Sequence, residues 1–143
     1  MISSILKGKG TDVVSVSPGD TVLSVARILT ERRIGAVLVR DTAGSLLGII
    51  SERDIVTGMA NQGQGTTQLP VEKLMTRELV TVAPQASVVQ AMELMTRRRI
   101  RHLPVMEKGE LVGLVSIGDL VKARIDEAEH EAAELKAYVN TAG

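Results

Sequence analysis

The residues of this chain best placed to do chemistry are two serine–aspartate pairs, Ser51 with Asp54 and Ser116 with Asp119. They lie in matching stretches, Gly48-Ile49-Ile50-Ser51-Glu52-Arg53-Asp54-Ile55 and Gly113-Leu114-Val115-Ser116-Ile117-Gly118-Asp119-Leu120. Gly, Ser and Asp all repeat at one offset of 65 residues. In each stretch a short apolar run arrives at the Ser, and a helical pattern follows the Asp. This spacing predicts a strand, a tight turn and a helix with Asp in its first turn. The unpaired N–H groups and partial positive charge of a helix N-terminus suit an anionic ligand. The competing explanation is structural, because Ser followed three residues later by an acid is close to a capping box. Capping accounts for one copy; a matched pair inside a longer repeat requires more.

Composition removes several function classes. The 143 residues suit one compact domain or two small halves sharing a core, and 44% are hydrophobic, enough for a sizeable buried core. Lys+Arg and Asp+Glu balance at 17 each, so no net basic field favours nucleic acid or an acidic membrane. There is no cysteine, which excludes disulfides and thiolate chemistry and fits a cytoplasmic setting. Residues 1–10 lack the long apolar run of a signal peptide, and no stretch approaches a membrane span. Trp and Phe are missing and Tyr138 is the single aromatic, so base stacking platforms are absent. The two histidines, His102 and His130, belong to no acid–His ligand set, and no metal site is expected. No Gly-x-Ser-x-Gly elbow, Walker loop or paired catalytic carboxylate is present, so no enzyme is expected. Arg97-Arg98-Arg99 with Arg101 forms a basic cluster, but helix C-termini favour basic residues in any case.

The elements that must position the two pairs also repeat. Ile2, Ile5 and Leu6 have helical spacing and precede Gly8 and Gly10, which predicts a short N-terminal helix. A short strand over 13–16 ends at Ser17-Pro18-Gly19-Asp20. Val22, Val25, Ala26 and Leu29 then mark one face of a helix that closes on Arg32-Arg33. Strands follow over 34–39 and 46–50, joined by the Asp41-Thr42-Ala43-Gly44 turn, and a helix runs from Asp54 to about Met59. Residues 61–68 are Asn, Gly, Gln and Thr with little to bury and read as a flexible connector. The order then returns. A short helix spans 70–75, a strand over 78–84 overlies 12–18 at an offset of 66, and 87–99 matches 21–33 at the same offset. Strands over 100–105 and 111–115 flank a Glu107-Lys108-Gly109 turn that is one residue shorter, hence the slip to 65. The expectation is an α/β (α+β) fold of two β-α-β-β-α motifs. Neither half, at about 60 residues, buries much alone, so the two should pack about a pseudo-twofold axis. The corresponding boundaries are 1–60 for the first motif with its N-terminal helix, 61–69 for the connector, 70–124 for the second motif and 125–143 for a helical extension.

These residues resemble a tandem pair of cystathionine beta-synthase (CBS) domains, the Bateman module. The resemblance spans residues 11–124. It rests on the β-α-β-β-α order, Ile100-Arg101-His102-Leu103-Pro104-Val105, the turn glycine and the Gly-x-x-Ser-x-x-Asp pattern in both halves, and the small stand-alone bacterial members look especially similar. It implies a non-catalytic regulatory module that binds AMP, ADP, ATP, NAD(H) or S-adenosylmethionine in clefts between its halves, with no catalytic cofactor. Asp54 and Asp119 would accept hydrogen bonds from ribose hydroxyls, as acceptor-only carboxylates can. Ser51 and Ser116 would lie beside phosphate or ribose. Backbone over 11–14, from Thr11 to Val14, and over 76–80, from Thr76 to Val80, would read the adenine edge. Ile34-Gly35-Ala36 and Ile100-Arg101-His102 would form walls, with Arg53, Arg101 and His102 as phosphate partners. The walls differ, since Gly35-Ala36 stands where the second half has Arg101-His102, and Leu38 where it has Pro104. Unequal occupancy is therefore expected; which turn faces which wall stays open. A ligand-free dimerisation or interaction module is the alternative.

No Gly or Pro interrupts residues 119–140, and Val121, Ile125, Ala128, Ala132, Leu135 and Val139 follow heptad spacing. This predicts a long C-terminal helix that packs on its own module or clasps a second chain. CBS pairs commonly form dimers, so the expected partners are an adenine nucleotide, a second copy and an unknown regulated protein, with no nucleic acid and no membrane.

Overall fold

The computed structural model describes residues 1–142. Its chain divides into two compact units, Asp12–Val80 and a second made of Met1–Thr11 with the chain from Thr81 onward.

In the first unit β1 (Ser15–Val16) pairs in parallel with β2 (Ala36–Arg40), which pairs antiparallel with β3 (Leu46–Ser51). Helix α2 (Val22–Arg32) connects β1 to β2, and α3 (Glu52–Gln62) follows β3. The Thr21 hydroxyl caps α2 by accepting the Ser24 N–H, and Arg33 ends it in the left-handed region at φ 54°. Such a conformation is uncommon outside glycine, yet Arg99 repeats it at φ 55° in the second unit. Val22, Val25 and Leu29 on α2 pack with Val37, Val39 and Ile50 of the sheet to form the core, closed from below by Val71 and Met75.

In the second unit α4 (Val88–Arg98) buries Val88, Ala91 and Met95, the counterparts of Val22, Val25 and Leu29. The β4 (His102–Glu107) and β5 (Glu110–Ser116) hairpin turns on Lys108 and Gly109, both at positive φ, as a two-residue turn requires. The long helix α5 (Ile117–Ala142) completes the unit. Among the described residues no helix is long and apolar enough to cross a membrane.

Three features differ from the sequence reading. The N-terminal helix α1 (Ile2–Lys9), grouped with residues 12–60 on sequence, packs on the second motif instead. The Ile2 and Ser3 N–H groups donate to the Ala86 and Pro84 carbonyls, and Ile2 and Leu6 are buried. The short segment before the second motif makes the reciprocal contacts with the first: Val71 and Glu72 N–H donate to Asp20 and Pro18 carbonyls. Each motif is thus completed by the segment that precedes the other, and the buried Ile2 and Val71 explain why.

The repeated glycines admit these segments. A Cβ on Gly48 would lie 2.7 Å from the Thr76 carbonyl oxygen, and one on Gly113 would lie 2.5 Å from a Leu6 methyl. The second difference is the connector, which is ordered: α3 runs to Gln62 and a 3-10 helix covers Gly63–Gln68. Thr66 is fully buried there, its Oγ1 lying 2.7 Å from the Gly63 carbonyl and 3.2 Å from that of Gly58. Composition hid this because one buried hydroxyl anchors an otherwise polar stretch.

The third difference is the expected strand over 78–84, which contracts to a single parallel bridge between Val82 and Val105. In the first unit the Leu38 N–H donates to the Val14 carbonyl. The equivalent residue in the second is Pro104, which has no N–H to give, so the ladder loses that rung.

Candidate functional site

Both Ser–Asp turns fold as capping boxes. In the first, the Ser51 N–H donates to Asp54 Oδ2 at 2.9 Å and the Asp54 N–H returns to Ser51 Oγ at 3.3 Å. The second repeats this with Ser116 N–H to Asp119 Oδ2 at 2.8 Å and Asp119 N–H to Ser116 Oγ at 3.2 Å. The bonds satisfy orphan helix donors and hold each carboxylate rigidly over its helix start. The capping explanation of the pattern therefore holds at both turns.

The walls are set against the turns by strand register. Ala36 pairs with Ser51 and His102 with Ser116. The first helical N–H of each turn donates to the wall carbonyl, Glu52 to Gly35 and Ile117 to Arg101. Within each unit the wall thus abuts the turn of its own motif, so register alone places the neutral Ile34-Gly35-Ala36 beside Asp54. It likewise places Ile100-Arg101-His102 beside Asp119. Arg101 is exposed and His102 half-buried. Arg53 is exposed on the first turn of α3.

The docked segments then touch the carboxylates. Thr76, expected at a ligand, donates its hydroxyl to Asp54 Oδ1 at 3.2 Å, while its backbone exchanges hydrogen bonds with Ile49. Val14 and Val80 belong to the same unit, both half-buried. Thr11 instead falls in the unit of Asp119, so the stretch expected to read one adenine edge is divided between the two units.

Lys9 is the residue that sequence reasoning missed. Its ammonium donates to Asp119 Oδ2 at 2.7 Å and to the Leu114 carbonyl at 3.0 Å. No local signal marks it, because its role depends on α1 docking against a strand more than 100 positions away. Burial pushes the Asp119 carboxyl up, but the Lys9 hydrogen bond, the Ser116 N–H and the Lys9 charge outweigh it and hold it below the ordinary value of 3.8. The Asp119 carboxylate is held by Lys9 and by the Ser116 N–H, both through Oδ2. The carboxylate also borders a groove of about 510 Å³ lined by α1 and the first turns of α5, including Ser4, Lys9, Lys122 and Asp126. A second groove of about 480 Å³ lies between α2 and α3, against Ile34 and Gly35. Among the described residues no cluster of His, Cys, Asp or Glu could hold a metal ion.

Known proteins share this architecture. The CBS domain model matches residues 9–61 and again 71–126. The chain is 37% identical to the mitochondrial CBS domain-containing protein CBSX3 of Arabidopsis thaliana, over 96% of this chain and 71% of that one. It superposes on the crystal structure of the CBS-domain containing protein ATU1752 from Agrobacterium tumefaciens with a TM-score of 0.84 at 44% identity, covering 86% and 92% of the two chains. The fold also matches the CBS domain pair of protein MJ0100, solved in complex with 5'-methylthioadenosine and S-adenosyl-L-methionine. That match has a TM-score of 0.75 at 23% identity and covers 86% and 98%. A motif that is matched twice, once in each unit, makes this chain a member of the CBS-domain family, with two CBS motifs in tandem.

Proposed function

We propose that the chain is a non-catalytic regulatory module that binds an adenosine-containing ligand at its Ser–Asp turns. The observation that carries this is the fixed carboxylate at each helix start, that of Asp119 bordering a groove of about 510 Å³. A preorganised acceptor of this kind suits vicinal ribose hydroxyls. Ser51 and Ser116 lie beside it. Backbone at Thr11, Val14, Thr76 and Val80 would read the adenine, with Ile34, Gly35, Ala36 and Ile100 lining it. Arg53, Arg101 and His102 would meet phosphate. The ligands bound by the MJ0100 pair support the adenosine class; AMP, ADP, ATP, NAD(H) and S-adenosylmethionine are the candidates. The module would act in the cytoplasm as a homodimer on a regulated protein, through differential affinity of the ligand for two arrangements.

One observation favours the second reading, a ligand-free interaction module. Retained carboxylates are costly only when unpartnered, and here Thr76 and Lys9 already serve them. A thermal-shift panel with an external dye separates the readings. A ligand at 100 times its Kd stabilises the fold by roughly 2.7 kcal/mol, and that shift should vanish in Asp54→Ala or Asp119→Ala. No shift with any candidate would leave the interaction module.

A further inference from the structure

The C-terminal half of α5 is a helix without a partner in its own chain. Of residues 126–141 all but Glu127 are exposed, yet the helix carries apolar side chains throughout. Val121, Ile125, Leu135 and Val139 are 41%, 51%, 65% and 59% exposed. An isolated helical segment of this length is marginal in water and gains most of its stability from covering an apolar face.

Because α5 is unbroken from Ile117 to Ala142, these residues form one stripe with Ala128 and Ala132. The stripe has an internal order. Ile125, Ala132 and Val139 fall at a positions, and Val121, Ala128 and Leu135 at d. β-Branched residues at a with Leu at d favour two parallel strands. The flanking charges agree. Arg124 and Glu131 occupy g positions, with Lys122, Glu129 and Lys136 at e. In a parallel, in-register pair each g residue meets the e residue five positions on in the other copy. Arg124 then faces Glu129, and Glu131 faces Lys136, and both pairs are attractive. An antiparallel pair matches g with g and e with e, which sets Glu131 against Glu131 and Lys122 against Lys136. Among the described residues Arg124 pairs with Glu127, at 3.3 Å on the exposed surface. The His130–Glu134 pair lies on the far side of the stripe and leaves it clear.

We infer that the occupant of this face is a second copy of the chain, with the two α5 helices paired in parallel and in register. This rests on the homodimer reading and specifies its contact, independently of any ligand.

The chain has no cysteine, so single-cysteine variants report geometry without background. Leu135→Cys lies on the stripe and Ala137→Cys on the opposite face; both sites are exposed, so the fold should tolerate either change. Under mild oxidation Leu135→Cys should form a disulfide dimer several-fold faster than Ala137→Cys, because facing d positions bring Cβ atoms within bonding range. Adding Glu131→Lys should slow cross-linking roughly three- to tenfold by turning attraction into repulsion, and Lys136→Glu should restore it. Equal rates at the two sites, or indifference to charge reversal, would overturn the pairing. So would preferential cross-linking between Leu135→Cys and Ile125→Cys chains in a mixture, the antiparallel result. Sedimentation velocity on the unmodified chain separates the failures: a dimer without the 135 cross-link leaves the homodimer standing, whereas a monomer removes both.

Discussion

The two Ser–Asp turns are built on one template and finished differently. Both are capping boxes with matching hydrogen bonds, and both receive the segment that precedes the other motif in sequence. In the first unit that segment is three residues of 3-10 helix, and it delivers the neutral Thr76 hydroxyl to Asp54. In the second it is the eight-residue α1, and it delivers the Lys9 ammonium to Asp119. The wall beside Asp119 adds Arg101 and His102 where the first unit has Gly35 and Ala36. The frame repeats, and the docked segments place different groups at its centre, a hydroxyl at Asp54 and an ammonium at Asp119. On the proposed function, Lys9, Arg101 and His102 make the Asp119 turn the expected site for the more phosphate-rich ligand, while Arg53 is the cation of the Asp54 turn.

The docking itself offers the largest test of this asymmetry. Gly48→Ala meets backbone, the Thr76 carbonyl, whereas Gly113→Ala meets the flexible tip of Leu6. Urea unfolding should show a loss of about 2–3 kcal/mol for the first and nearer 1 kcal/mol for the second. Equal losses would mean that the two segments are held alike.

Next in size is the ordered connector, which only the first unit has. Thr66→Val removes a buried hydroxyl that serves the Gly58 and Gly63 carbonyls. It should cost about 1–2 kcal/mol in the same assay. A neutral result would return residues 63–68 to the flexible class that their composition suggests.

How much of this was legible in the sequence follows from what kind of information each feature needs. The helices α2 and α4 were readable because their buried faces repeat at helical spacing, Val22, Val25 and Leu29 against Val88, Ala91 and Met95. The Ser–Asp turns were readable because a cap is local. The exchange of α1 and residues 71–76 was not, since an amphipathic helix shows that it needs a partner but not which one. Lys9 inherited that blindness. The shortened strand at Val82 was readable in principle, because Pro104 has no N–H for a central ladder.

Smallest in energy, but most specific, is the pH response. The lowered Asp119 carboxyl adds stability above its ordinary value of about 3.8, and that stability is lost as pH falls through the lowered folded value. Lys9→Met should cost less than about 1 kcal/mol at neutral pH, as expected for a part-exposed ion pair. It should also flatten the acid limb of stability below pH 4. Thr76→Val should leave that limb unchanged. The two variants behaving alike would dissolve the electrostatic difference between the turns.

The most direct test of the central claim is calorimetric titration of AMP, ADP, ATP, NAD, NADH and S-adenosylmethionine into the unaltered chain, Asp54→Ala and Asp119→Ala. The account predicts binding of at least one ligand that one aspartate variant abolishes, with phosphate-rich ligands lost in Asp119→Ala and retained in Asp54→Ala. Binding that survives both substitutions unchanged, or no heat with any ligand, would contradict it.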